Sequence, residues 1–137
     1  MNIAIVRSLF NEEITGKMER AAVASAKKNG AVVKTILRVP GAFDMPLALD
    51  KALSKRSINA VAAIGAIIKG DTKHDEVIAF SLAKTIHELE LKHKKPIGLG
   101  VTGPGISWEQ AEERAEDYAE RAVEAAIALW KLQKNKK

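Results

Sequence analysis

The side chains of this sequence best able to do chemistry lie at the breaks between its apolar runs. The most informative break is Gly65-Ala66-Ile67-Ile68-Lys69-Gly70-Asp71-Thr72-Lys73-His74-Asp75-Glu76. Thr72 and the amides after Gly70 precede a helical pattern. Free backbone donors at the positive end of a helix make a cradle for an anion. His74 falls in the first turn of that helix, and imidazole is the side chain best suited to moving protons near neutral pH. A solvated surface histidine is the plain alternative. His87 and His93 have no partners at metal-ligand spacing, so no metal site is read.

Three further breaks carry polar or aromatic residues. Phe10 and Asn11 follow the first apolar run, where an aromatic ring can stack on a flat ligand or staple a helix start. In Val39-Pro40-Gly41-Ala42-Phe43-Asp44-Met45-Pro46, Gly41 lets backbone approach a ligand, and two prolines stiffen the loop. Asp44 there can cap a helix or hold a hydroxyl-rich ligand. Last, Thr102-Gly103-Pro104-Gly105 leads to a helix start at Ser107, with Arg114 two turns in. Arg114 is either a surface charge or a bidentate clamp for phosphate.

The elements that must position these loops follow from periodicity. Residues 2–6 read as a buried strand. A helix follows, with Ile14, Met18, Ala21, Ala22 and Ala26 on one face and Gly30 as its left-handed stop. Residues 31–39 are strand-like. A short helix with Pro46 in its first turn points Leu49, Ala52 and Leu53 inward. Residues 60–64 form an uninterrupted apolar strand, as expected when both faces are covered. Residues 74–93 are helical, with Val77, Ile78, Leu82, Ile86 and Leu89 inward, and residues 96–101 form a fourth strand.

Ser107 and Gln110 form a capping box for a last helix, which runs to about Leu132. Its stripe is Trp108, Ala111, Ala115, Tyr118, Ala122, Ala126 and Leu129. Strict strand–helix alternation predicts an α/β fold, with a four-stranded parallel sheet flanked by helices in a flavodoxin-like, three-layer αβα sandwich. Ligands of such sheets bind beyond the carboxyl ends of the strands. The loops at 7–13, 40–46, 65–74 and 102–107 therefore belong together.

Composition narrows the classes. The 137 residues suit one domain, 1–137, and 47% are hydrophobic, so the chain can bury a core. The absence of cysteine excludes disulfide scaffolds, cysteine metal sites and thiol catalysis. No apolar run approaches a membrane span or a signal peptide, which places the expected protein in the cytoplasm. Aromatic residues make up 4%, too few for a single-strand stacking platform. The net charge of +5 gathers partly at Lys92–Lys95 and in a basic tail over 131–137, read as solvated surface rather than a nucleic-acid site.

In order and spacing, the loops resemble the lumazine synthase family over nearly the whole chain, from Ile3 to about Leu129. Phe10-Asn11, the Val39–Pro46 run and Gly65 through His74 carry the resemblance most strongly. Glu109-Gln110-Ala111 with Arg114 and Arg121-Ala122-Val123-Glu124-Ala125-Ala126 support it. The Gly-Pro-Gly loop and Asp44 are similar to the archaeal branch. The resemblance implies condensation of 5-amino-6-(D-ribitylamino)uracil with 3,4-dihydroxy-2-butanone 4-phosphate to 6,7-dimethyl-8-ribityllumazine, phosphate and water. It implies no metal and no organic cofactor.

By position, the resemblance implies that Phe10 stacks on the pyrimidine and that Ala42, Phe43 and Asp44 hold the ribityl chain. Ala66, Ile67 and Ile68 would face the uracil edge. Asp71 and Thr72 would hold the phosphate-bearing substrate, and His74 would move protons. Arg114 would bind phosphate and, with Leu99, reach the site from a neighbouring subunit. The family's assembly is a pentamer, in many members packed into a sixty-subunit icosahedral capsid. The absence of inserted residues near Arg114–Arg121 leans toward that shell. Because the chain starts almost at strand one, no donated edge strand is expected.

Three positions depart from the family pattern. Leu99 stands where many members have Phe, Lys69 where Arg is usual, and Arg121 is offset by one residue from a common Lys. One rival is the archaeal-type riboflavin synthase paralogue, which shares the Val-Pro-Gly loop but should lack Gly70-Asp71-Thr72-Lys73-His74. A non-enzymatic module of the same architecture is the other. A receiver needs acids where Arg7-Ser8 and Gly65-Ala66 stand, and a flavodoxin needs a hydroxyl-rich phosphate loop unlike Ser8-Leu9-Phe10-Asn11.

Overall fold

The computed structural model describes residues 1–135. The elements are β1 (Asn2–Ser8), α1 (Glu12–Lys28), β2 (Val32–Val39), a 3-10 turn (Ala42–Asp44), α2 (Met45–Leu53), β3 (Ala60–Ala66), α3 (His74–His93), β4 (Ile97–Thr102) and α4 (Trp108–Lys134). All strand pairs are parallel, in the order β2-β1-β3-β4. The chain thus winds outward from β1 to β2, returns across β1 to β3, and ends at β4. The reversal falls between β1 and β3, where a parallel sheet opens a crevice at its carboxyl end.

Period-two alternation sends successive side chains to opposite layers. Ile3 and Ile5 pack with Ile14, Met18 and Ala22 of α1 and the alanines of α4. Ala4 and Val6 pack with Met45, Leu49 and Leu53 of α2 and Leu82 and Ile86 of α3. The result is the expected αβα sandwich. Gly30 ends α1 at φ 77°, with the Ala31 amide on the Ala26 carbonyl (2.9 Å) and the Gly30 amide on the Lys27 carbonyl (3.1 Å). That double bond is the glycine-stopped helix end the sequence predicts. The Ser107–Gln110 capping box also forms, at 3.2 and 2.9 Å.

Several boundaries and faces differ from expectation. Arg7, Ser8, Gly65 and Ala66 belong to strands rather than loops, because ladder bonds to neighbouring strands extend past the last apolar residue. Val77 is 59% exposed, and Leu129 also faces solvent, so neither points inward. On α4 the expected Ala111, Ala115, Ala122 and Ala126 are buried, and Ala119, Val123 and Ile127 complete the stripe in place of Leu129. Alanines prevail there because Gly98 and Gly100 draw the helix onto β4. A Cβ on Gly98 would lie 1.8 Å from the Ala122 carbonyl oxygen.

The basic runs are also partly structural. Lys95 Nζ donates to the carbonyls of Leu53 and Lys55, both at 2.9 Å, and closes the end of α2. His93 Nε2 meets Asp50 Oδ1 at 2.7 Å, and this hydrogen bond is the main reason the Asp50 carboxyl titrates below its ordinary value. Lys131 and Lys134 form the last turn of α4 rather than a tail, where positive charge suits the helix end. Residues 136–137 of the expected tail lie outside the described residues. Among the described residues, no helix is long and apolar enough to cross a membrane.

Candidate active site

A crevice of about 470 Å³ opens at the carboxyl ends of β1 and β3. Its walls come from three of the four loops singled out in the sequence. Phe10 and Asn11 stand on one side, Gly41, Ala42 and Phe43 on another, and Ala66 through Ile68, Gly70, Thr72 and His74 on the third. Ser8, Asp75 and Ile78 complete it.

Hydrogen bonds lace these loops in sequence across the strand tips. The amides of Leu9 and Phe10 donate to the carbonyls of Val39 and Pro40, at 2.8 and 3.0 Å. Asn11 Nδ2 donates to the Ala66 carbonyl at 3.0 Å, fixing the first loop to the third. The Ile67 amide donates to Thr102 and the Lys69 amide to Ile106. The Gly105 amide in turn donates to Asp75 Oδ2 at 2.9 Å. Each loop is therefore held by its neighbours, so the crevice is pre-formed.

The first loop shows how the lacing is built. Asn11 has φ 63°, a left-handed conformation that asparagine tolerates better than most residues. Its carbonyl accepts from the amides of Ile14 and Thr15, which starts α1. That turn leaves Phe10 69% exposed over the crevice, so Phe10 is not a staple.

Behind the turn, the buried Arg7 guanidinium bonds Glu12 at 3.1 Å and Glu19 at 3.0 Å, with a longer contact to Thr15 at 3.4 Å. Glu19 also accepts two bonds from Arg38, at 2.9 and 2.8 Å. Those bonds first, and Arg7 second, hold the Glu19 carboxyl below its ordinary value, against the upward push of burial. Burying Arg7 is tolerable because each of the three guanidinium nitrogens reaches an oxygen, two of them on carboxylates. It anchors the end of β1 to the start of α1 from the side opposite the crevice.

At the third loop, α3 begins at His74, as the sequence indicates. The His74 amide donates to Thr72 Oγ1 at 3.3 Å, which leaves the Thr72 hydroxyl hydrogen available to a ligand. The Gly103 α-carbon faces the Ile67 carbonyl so closely that an added Cβ would come within 2.5 Å of it, and φ is 98°. Only glycine fits that contact.

The remaining expected site residues lie elsewhere. Asp44 and Asp71 are exposed near the mouth and do not line the crevice. Asp44 makes no side-chain cap bond to α2, so capping does not account for it. Leu99, 45% exposed, lines a separate hollow of about 230 Å³ with Phe80 and Pro104, on the open edge of β4. Arg114 is exposed on α4 and forms no ion pair among the described residues, whereas Arg121 pairs with Asp117 at 3.0 Å. Leu99 and Arg114 thus cannot serve the crevice of their own chain.

Asp75 and Ser8 were not singled out as site residues by the sequence. An acid in a first helical turn reads as an ordinary complement to the helix dipole. Its burial beneath Gly105 depends on tertiary contact. Ser8 carried only the weak signal of a hydroxyl ending an apolar strand.

A profile of one enzyme family, 6,7-dimethyl-8-ribityllumazine synthase, matches residues 1–134. A protein of that name from Saccharolobus islandicus strain L.S.2.15 is 50% identical over 129 residues, covering 94% of this chain and 84% of its own length. One from Metallosphaera sedula is 45% identical over 129 residues, covering 94% of this chain and 85% of its own. A third, from Aeropyrum pernix, is 48% identical over 130 residues, with 94% and 88% covered.

Proposed function

The chain belongs to the 6,7-dimethyl-8-ribityllumazine synthase family, and from that premise we propose that the crevice at the ends of β1 and β3 joins the two substrates of riboflavin biosynthesis. The protein is a transferase that forms 6,7-dimethyl-8-ribityllumazine. One observation carries the site assignment: Phe10, Ala42, Phe43, Thr72 and His74, drawn from three loops, line a single crevice.

In this reading the uracil ring of 5-amino-6-(D-ribitylamino)uracil stacks on Phe10 and meets the backbone of Ala66, Ile67 and Ile68. Its ribityl chain runs along Ala42 and Phe43 to the Asp44 carboxylate, which accepts from hydroxyls. The phosphate of 3,4-dihydroxy-2-butanone 4-phosphate lies on the loop of Asp71 and Thr72, where the start of α3 offers amides and a positive end.

The ring 5-amino group attacks the ketone and loses water to give an imine. The hydroxyl-bearing carbon beside the imine then loses its proton, phosphate leaves with the electrons of its C–O bond, and the resulting enol becomes a ketone. The ribitylamino nitrogen adds to that ketone and loses a further water to close the second ring. His74 gives and takes the protons of these steps. The substrates supply much of the reactivity, so orientation and proton transfer are the enzyme's main contributions.

The site is completed by a second copy in this proposal. Leu99 and Arg114 stand outside their own crevice, and Val77 and Phe80 (63% exposed) leave an apolar strip along α3 beside the open edge of β4. A neighbour on that strip would bring its Arg114 to the phosphate and its Leu99 to the ring. The family assembly is a pentamer, and the uninterrupted run from Arg114 to Arg121 suits the sixty-subunit shell. With both substrates small and water-soluble, the cytoplasm is the natural location.

The test is direct. The purified protein incubated with both substrates should yield the absorbing lumazine and free phosphate. Failure to form it, together with conversion of added lumazine to riboflavin, would overturn the reading in favour of the paralogous synthase.

A further inference from the structure

Among the described residues, two buried side-chain hydroxyls have no hydrogen-bond partner: Ser8 Oγ and Thr102 Oγ1. Only one of them lines the crevice. Ser8 ends β1 and is 1% exposed, and it is part of the crevice wall, whereas Thr102 is not. Alternation along β1 puts Ser8 on the same side as Ala4 and Val6, toward α2 and α3 and away from the Arg7 network.

The space beside Ser8 depends on Gly65. A Cβ at Gly65 would stand 3.2 Å from Ser8 Cβ, with Val101 methyls at 3.8 and 3.9 Å behind it. A side chain at position 65 would press on the serine. The backbone around it has already spent its polar groups on lacing, since the Leu9 amide is bound to Val39 and the Ala66 carbonyl to Asn11. Ser8 Oγ is the polar side-chain atom of the floor left without a partner.

We propose that the Ser8 hydroxyl is a hydrogen-bonding group for the ring-bearing substrate, meeting a polar atom of its pyrimidine edge or first ribityl hydroxyl at the crevice floor. The inference rests on the function proposed above and deepens it. Ser8 lies at the β1–β3 junction, between the Phe10 side and the Ala66–Ile67 side, where the ring would enter. The phosphate cradle at Gly70–Thr72 belongs to the later part of the third loop, past Ala66 and Ile67. A hydroxyl can donate or accept, so it serves either a carbonyl or a hydroxyl of the ligand. Burial before binding also means that no competing water shell need be stripped when the ligand arrives.

Ser8→Ala in the intact protein tests this. Removing a hydroxyl that has no protein partner should leave the melting temperature unchanged or higher. The KM for the ribitylaminouracil should rise about three- to tenfold, the effect of one neutral hydrogen bond, with the KM for the butanone phosphate unmoved. Thr102→Val, which removes the other orphaned hydroxyl, should change neither KM.

Four results would overturn the proposal: an unchanged KM for the ring substrate in Ser8→Ala, a rise confined to the phosphate substrate, a rise accompanied by a lower melting temperature, or an equal shift in Thr102→Val. A wild-type protein that forms no lumazine fails the functional reading itself. A wild-type protein that turns over normally, beside an indifferent Ser8→Ala, fails this inference alone.

Discussion

On one side of the sheet, α4 presses against the strands mainly through alanines, beside Ile14 and Met18 of α1. On the other, α2 and α3 lean on it through leucines, isoleucines and a methionine. The first side is closed tightly by the chain itself: Gly98 and Gly100 place no side chain of their own between β4 and the α4 backbone. The second side leaves Leu47, Val77 and Phe80 in solvent and holds the crevice at its upper end. An apolar strip beside an unpaired strand edge suits a partner surface. One side therefore sets stability, and the other is free to carry recognition.

If that division is right, substitutions on the two sides should separate stability from activity. The largest effect belongs to the tightly closed side. Gly98→Ala would drive a methyl into the Ala122 carbonyl, and α4 would have to lift from β4. Overpacking of that severity costs at least ~3 kcal/mol, read as a collapse of the urea midpoint. A stable Gly98→Ala protein would show that the seam is looser than its contacts imply.

On the open side the opposite pattern is expected. His74 is exposed at the crevice, so His74→Ala should leave the urea midpoint unchanged while slowing turnover about ten- to a thousandfold. An unaltered rate would make the histidine a bystander. Phe80→Asp places a charge on the exposed strip without touching the core. On the proposed pentamer, sedimentation should show the wild-type protein assembled and Phe80→Asp as smaller species that remain folded. Equal sedimentation of the two would remove the strip from the proposed interface.

A smaller effect is expected from Arg114→Ala, which removes a charged contact to phosphate. The KM for the butanone phosphate should rise about ten- to a hundredfold, with that for the ring substrate unchanged. Equal saturation curves would return Arg114 to the role of surface charge.

The smallest effect concerns acid. The Glu19 carboxyl sits below its ordinary value of 4.5 in the folded protein, through Arg38 first and Arg7 second. A carboxyl with a depressed folded pKa stabilises fully above its unfolded value and loses that contribution as pH falls through the lowered folded value. The urea midpoint should therefore decline below about pH 4.5, and less steeply in Arg38→Ala. Parallel declines would show that Arg38 is not the partner that matters.

The sequence alone determined the element order, the parallel sheet, both ends of α3, the Gly30 stop and the capping box. These depend on periodicity, on glycine's access to positive φ, and on side chains reaching backbone three residues away. It also marked three of the crevice loops, because an exposed aromatic ring, a stiffened Pro-Gly run and a titratable His at strand ends go beyond what a bare connector needs. Tertiary structure alone decided where the strands stop, since ladder bonds depend on a neighbour and not on the apolarity of the strand itself. It decided that Ala119, Val123 and Ile127 rather than Leu129 complete the alanine stripe of α4. It showed Asp75 as a brace and Ser8 as an unpartnered hydroxyl at the crevice floor. Burial and hydrogen-bond pairing are properties of what packs against a residue from distant parts of the chain, and no local pattern records them.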